Sequence, residues 1–209
     1  MPHPAHRRHT GRTILWRIVM AALTLALASG LARASDAHLI APLQAGGLVV
    51  LIRHAATEPG TGDPPEFRLG DCATQRNLSA AGRAQSRALG AWFAAQQIPI
   101  ADVRSSRWCR CLDTATLAFA NRATVTPWPP LDSFFDARHR EPEATAAALA
   151  ALATPLAGNR VWVTHQVNIT ALSSIFPAPG ELVLMRPVPV ADAPPRLELV
   201  GRLRPATRP

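Results

Sequence analysis

"GGLVVLIRHAATEPG", residues 46–60, holds an apolar run, Leu48-Val49-Val50-Leu51-Ile52, that stops at Arg53-His54 before two alanines and, soon after, a proline and a glycine. A short continuous run of β-branched residues and leucine is what a strand buried on both faces needs. The arginine–histidine pair at its tip says nothing by itself. The chain has 209 residues, its 22 basic residues are all arginine, and it carries 7 histidines, so such pairs arise by chance. Two others occur, Arg8-His9 and Arg138-His139. Only position can separate a functional pair from a random one.

Outward from that stretch the pattern alternates. "NLSAAGRAQSRALGAWFAAQQ" (77–97) places Ala81, Ala84, Ala88, Leu89, Trp92 and Phe93 at helical spacing behind Ser79 as N-cap. Residues 98–106 predict a second strand, 109–120 a helix through Leu112, Ala115 and Phe119, and 123–128 a third strand. An irregular loop over 131–140 precedes a helix over 141–158, with Pro142 in its first turn and Gly158 past its end. A strand over 159–165, a helix over 167–176 and strands over 181–187 and 196–204 complete the body, and a proline-rich tail follows. This alternation predicts an α/β fold of three layers, a mostly parallel central sheet with helices on both faces. In such sheets ligands bind beyond the carboxyl ends of the strands. The first strand ends at Arg53-His54, the second at Ser105-Ser106 with Arg107 and Arg110 just beyond, and the fourth at Thr164-His165. Two histidines and at least two arginines therefore meet on one edge. The other two Arg-His pairs fall in the N-terminal segment and in a loop, away from it.

The net charge of +8 divides unevenly. Residues 1–34 hold five arginines and no acid, which leaves 17 − 14 = +3 on the remainder. A mildly basic body without a basic, aromatic-interleaved stripe does not argue for nucleic acid, though it suits an anionic ligand. The N-terminal arginines precede "IVMAALTLALASGLA" (18–32) and then Ala32-Arg33-Ala34, the layout of a secretory signal peptide cleaved after Ala34. The alternative is an uncleaved anchor, and both place the body in the periplasm or outside the cell. After cleavage no membrane span is expected. Residues 35–45 read as a leader, 46–204 as the domain and 205–209 as tail. Export permits disulfides. Of three cysteines, Cys109 and Cys111 are too close for easy pairing, so Cys72 with Cys109 or with Cys111 is the expected bridge. No histidine adjoins a cysteine to suggest a thiol nucleophile, and the paired spacings of a zinc site are missing.

The edge cluster has phosphoryl-transfer chemistry. Arginine forks match phosphoryl oxygens, a neutral histidine can attack phosphorus, and a second, protonated histidine can stabilise the charge that develops. Such a set needs no metal or other cofactor. With "LIRHAAT" (51–57), "NLSAAGRAQSRALG" (77–90), "SSRWCRCLDTA" (105–115) and "VWVTHQVNITAL" (161–172), the chain resembles the histidine phosphatase superfamily and its phosphoglycerate-mutase-like fold. The resemblance implies His54 as the phosphorylated nucleophile and Arg53, His54, Arg110 and His165 as the phosphate-binding residues, and it selects Arg110 over Arg107. Alanines at 55 and 56 stand where the family has glycine and an acid.

The proton donor departs from both family branches, because Ser133 stands where one has glutamate and Gln166 where the other has aspartate. Asp136, Asp132 and Glu58 are the carboxylates nearby, each also readable as a solvated surface residue, and Asp136 is the candidate. Two functions fit: an exported phosphomonoesterase acting on a small phosphorylated substrate through phospho-His54, or a phosphate-ligand-binding module with little catalysis.

Overall fold

Val49–Arg53 forms β1 and sits in the interior of the sheet, as its unbroken apolar run requires. The computed structural model describes residues 37–154 and 157–205; the expected signal peptide and most of the tail lie outside them. The other strands are β2 (Ile100–Ser105), β3 (Val125–Pro127), β4 (Asn159–Thr164), β5 (Leu182–Val190) and β6 (Ala193–Leu203), in sheet order β3-β2-β4-β1-β5-β6. β1 pairs in parallel with β4, Arg53 lying opposite Thr164, and β4 with β2, Ser105 opposite Val163. β5 returns antiparallel beside β1 and joins β6 in a hairpin. The mostly parallel α/β sheet expected from the alternation is present.

Among the described residues five helices cover it: α1 through residues 37–45, α2 (Ala80–Ala95), α3 (Cys109–Phe119), α4 (Glu141–Ala150) and α5 (Gln166–Ser173). Period-two alternation divides β1 between two cores. Val50 and Ile52 face a cluster with Leu39, Leu43, Leu89, Phe93 and Phe119, so α1, α2 and α3 lie on that face. Val49 and Leu51 face Ala148, Trp162 and Ile169, with α4 and α5. The segment 35–45 read as a leader thus contributes Leu39 and Leu43 to the core. No helix among the described residues is long and apolar enough to cross a membrane.

Several element boundaries differ from the expected ones for local reasons. Helix α4 ends at Ala150, followed by a 3-10 turn over Ala151–Ala153, because Thr154 precedes Pro155 and turns extended. Ser174 adopts a left-handed conformation (φ 60°) and ends α5 short of 176. The last two strands run further than expected, through Pro187, Pro189, Pro194 and Pro195. Register shifts after Leu184 and Val188 and the outer position of β6 tolerate these prolines. Two 3-10 turns, Pro129–Leu131 and Arg138–Arg140, structure the loop before α4. Ser79 does cap α2, accepting from the Gly82 amide at 3.1 Å. The face that α2 buries is Gly82, Ser86, Leu89, Gly90 and Phe93, while Ala81 and Ala84 are exposed. A Cβ on Gly82 would lie 1.8 Å from the Ala56 carbonyl oxygen, and one on Gly90 2.1 Å from that of Ala118. The helix approaches its neighbours backbone to backbone, which selects glycine over alanine for the inner face.

Candidate active site

The tip of β1 is tied down on three sides. The His54 amide donates to the Thr164 carbonyl (3.0 Å), the Ala55 amide to Thr114 Oγ1 (3.0 Å), and the Gly180 amide to the Arg53 carbonyl (3.0 Å). His54 is 4% exposed. Its Nδ1 lies 2.9 Å from the Ala55 carbonyl oxygen, which can only accept, so Nδ1 carries the hydrogen and Nε2 the free lone pair. Burial, joined by the charges of Arg110, Arg53 and Arg76, lowers the His54 pKa to about 3, against the Ala55 hydrogen bond, which favours the cation. Its imidazole is neutral throughout the physiological range.

Arg110, on the first turn of α3, is 4% exposed and pairs with Asp63 at 2.7 Å. Asp63 also accepts from the Arg76 amide (3.0 Å) and from Trp108 Nε1 (3.0 Å). Burial would raise the Asp63 pKa, but the Arg110 hydrogen bond and charge, with the hydrogen bonds from the Arg76 amide and Trp108, together outweigh it and hold the carboxyl below its ordinary value. Arg76 donates its Nε to the Gly62 carbonyl (2.7 Å) and Nη1 to Thr57. Arg53 Nη1 donates to the Pro177 carbonyl at 2.9 Å. The Nε groups of Arg53 and Arg110 are buried without a partner among the described residues. Three guanidinium groups thus share one pocket with a single buried carboxylate, an arrangement that invites an anion.

His165, at the tip of β4, closes the other side, its ring centroid 5.5 Å from that of His54 in an edge-to-face arrangement. Its Nε2 lies 2.8 Å from Ser106 Oγ, and its Nδ1 3.5 Å from Arg110 Nη2. Ser106 Oγ also accepts from the Trp108 amide (3.3 Å) and lies 3.3 Å from Asp132 Oδ1. One hydroxyl hydrogen decides the tautomer. If it pointed at His165, the Ser106 and Asp132 oxygens would face each other with no hydrogen between them. Donation to Asp132 instead satisfies all three contacts, and His165 Nε2–H then donates to Ser106. Nδ1 is left facing Arg110. Burial, together with Arg110 and the other nearby positive charges, lowers the His165 pKa well below its usual value.

All four residues expected at the strand ends line one cavity of about 230 Å³, together with Arg76, Asp63, Asp136, Phe135 and Phe176. Asp136 is exposed at its wall. Glu58 is exposed and does not line it. Asp132 is buried and committed to Arg107, whose amide (2.8 Å) and Nε (2.7 Å) both donate to it. Arg107 therefore faces Asp132 and not the cavity. Asp63 and Arg76 were not anticipated from sequence, since they sit in a loop with no periodicity, and only the nearby Gly and Pro residues mark that loop. Cys72 is bonded to Cys109, their Cα atoms 5.6 Å apart, while Cys111 is buried and free. Burial pushes the Cys111 thiol up to about 12. The described residues hold no group of three or more His, Cys, Asp or Glu placed to bind a metal ion.

Residues 49–135 match the model of the histidine phosphatase superfamily (branch 1). Comparison with curated proteins found no match. Among solved structures, the protein histidine phosphatase SixA complexed with tungstate is similar at 15% identity and TM-score 0.50, over 76% of this chain and 97% of that one. A SixA-type protein of Nakamurella multipartitia is similar at 21% identity and TM-score 0.51, over 76% and 95%. A mycobacterial glucosyl-3-phosphoglycerate phosphatase is similar at 16% identity and TM-score 0.52, over 73% and 96%.

Proposed function

We propose that this chain, a member of the histidine phosphatase superfamily, is a phosphomonoesterase that works through a phosphohistidine on His54. The observation that carries the reading is the neutral His54, its Nδ1–H held by the Ala55 carbonyl, among three guanidinium groups, two of which keep unpartnered Nε donors. Arg53, Arg76 and Arg110 bind the phosphoryl oxygens. His54 Nε2 attacks phosphorus, the bond to the ester oxygen breaks, and the leaving oxygen takes a proton. Water then attacks the phosphohistidine, the N–P bond breaks, and inorganic phosphate leaves. His165 Nδ1, facing Arg110, takes a proton when the dianion binds and adds a further donor to the charge on the transferring oxygens. Asp136, at the cavity wall, is the carboxyl group available to the leaving oxygen. The arginines supply the neutralising charge that a metal supplies elsewhere, so activity should survive chelators.

The export reading is part of the proposal. The 1–34 segment has the layout of a signal peptide, and a Cys72–Cys109 bridge suits an oxidising compartment. N-terminal sequencing of the protein recovered from periplasm should begin at Ser35.

A second reading, a phosphate-binding module, draws on one observation: Asp63, the buried carboxylate of the cavity, is bound to Arg110, so no buried acid is free. Pre-steady-state hydrolysis of a generic aryl phosphate separates the two. The enzyme releases a burst of the phenol near one per active site, undiminished by chelator. Tight phosphate binding with no turnover would establish the module instead.

A further inference from the structure

Two phenylalanines remain exposed at the mouth of the cavity, Phe135 at 45% and Phe176 at 69%. Lone exposed hydrophobics are ordinary, but two aromatic rings from separate segments beside one polar pocket are not. Neither is on a loose segment. Phe134, 1% exposed, anchors its turn against Ala144 and Val167, and a hydrogen bond from the Phe135 amide to Ser133 Oγ (3.3 Å) fixes the next residue facing outward. Phe176 is flanked by Ile175, packed on the core, and by Pro177, whose carbonyl accepts from Arg53. The Arg138 guanidinium lies 5.7 Å from the Phe135 ring centroid, which leaves the ring with a charged neighbour of its own.

Because both rings line the same small cavity as the arginines, a leaving group that touches them must carry its apolar surface next to the ester oxygen. The acid inventory points the same way. Asp63 is committed to Arg110 and Asp136 is exposed, so no buried carboxylic acid is held for the leaving oxygen. A phenol departs with far less proton help than an alkanol. Resting on the phosphatase reading above, we infer that Phe135 and Phe176 form a leaving-group subsite and that the preferred substrates are aryl phosphates, a flat ring joined directly to the phosphoryl group through oxygen.

Calorimetric binding of two stable phosphonates tests this without requiring turnover. Phenylphosphonate should bind wild type roughly tenfold tighter than methylphosphonate, the size expected for aromatic contacts. In Phe135→Ala/Phe176→Ala that ratio should fall close to one, and in Phe176→Leu it should be intermediate. A ratio of two affinities within one sample does not depend on the fraction of folded protein. Equal affinities in wild type, or a ratio unchanged by the double substitution, would overturn the subsite while leaving the phosphatase reading intact. Failure of both phosphonates to bind would overturn the anion pocket, and the subsite with it.

Discussion

His165 takes its orientation from a residue that never touches the pocket. The chain Arg107–Asp132–Ser106–His165 holds Nε2–H and turns Nδ1 toward Arg110. Ser106→Ala should lower kcat by roughly tenfold or more, the cost of an unsatisfied buried partner, and should move the pH profile. Ser106→Thr, which keeps the hydroxyl, should recover part of the loss, whereas a purely structural defect would show no such recovery and no profile change. Arg110 and Arg107 make a sharper pair. Loss of a charge-assisted contact in the pocket costs about 1.5–3 kcal/mol, so Arg110→Ala should reduce kcat/KM by roughly ten- to a hundredfold. Arg107→Ala, acting only through Asp132, should do less; equal losses would contradict the assignment. Arg53, His54 and His165 were legible because strands end at or just before them, whereas the choice of Arg110 over Arg107 rested on the resemblance, since both arginines follow the end of β2. Asp63 and Arg76 were not, since their roles depend on how an aperiodic loop folds back.

Helix α2 shows what a helical period can and cannot reveal. Its existence and cap followed from Ser79 and the spacing of apolar residues, but its inner face did not, because alanine and glycine differ little in hydropathy. The deciding factor is distance to the Ala56 and Ala118 carbonyls. Gly90→Ala should therefore destabilise by about 1–3 kcal/mol despite the better helix propensity of alanine, as read from urea unfolding; a neutral or stabilising result would refute the backbone contact. The disulfide belongs to the same scale. It ties the 3-10 turn Cys72–Thr74 to the first residue of α3, immediately before Arg110. The bridge spans a sequence separation of 37, for which loop-closure entropy gives about 3–4 kcal/mol. Cys72→Ser/Cys109→Ser should lose stability of that order and weaken phosphate binding through Asp63–Arg110. The sequence narrowed the bridge to two pairings, and the rotation of α3, which buries Cys111 toward the core, selects between them.

For the whole molecule, two buried histidines are kept neutral in the folded state, and the unfolded chain is free to protonate them. A depressed histidine pKa makes stability rise with pH while the unfolded state binds the extra proton. That stability is complete above the ordinary value of 6.5 and is lost as pH falls from there toward about 3 for His54. Each such histidine contributes a slope of up to about 1.4 kcal/mol per pH unit. Asp63 and Glu181, held below their ordinary values, add acid sensitivity in the same direction lower down. Unfolding midpoints should therefore drop steadily between pH 6.5 and 4, and His54→Asn should flatten the curve; an unchanged slope would mean that His54 protonates freely in the folded protein.

The central claim is that His54 carries the phosphoryl group, and trapping that intermediate tests it most directly. Protein mixed with an aryl phosphate, quenched in alkali to preserve the N–P bond and digested, should yield one phosphorylated peptide, the one containing Arg53-His54, with the label on His54 and absent from His54→Asn. Label on His165, or label that persists in His54→Asn, would contradict the account.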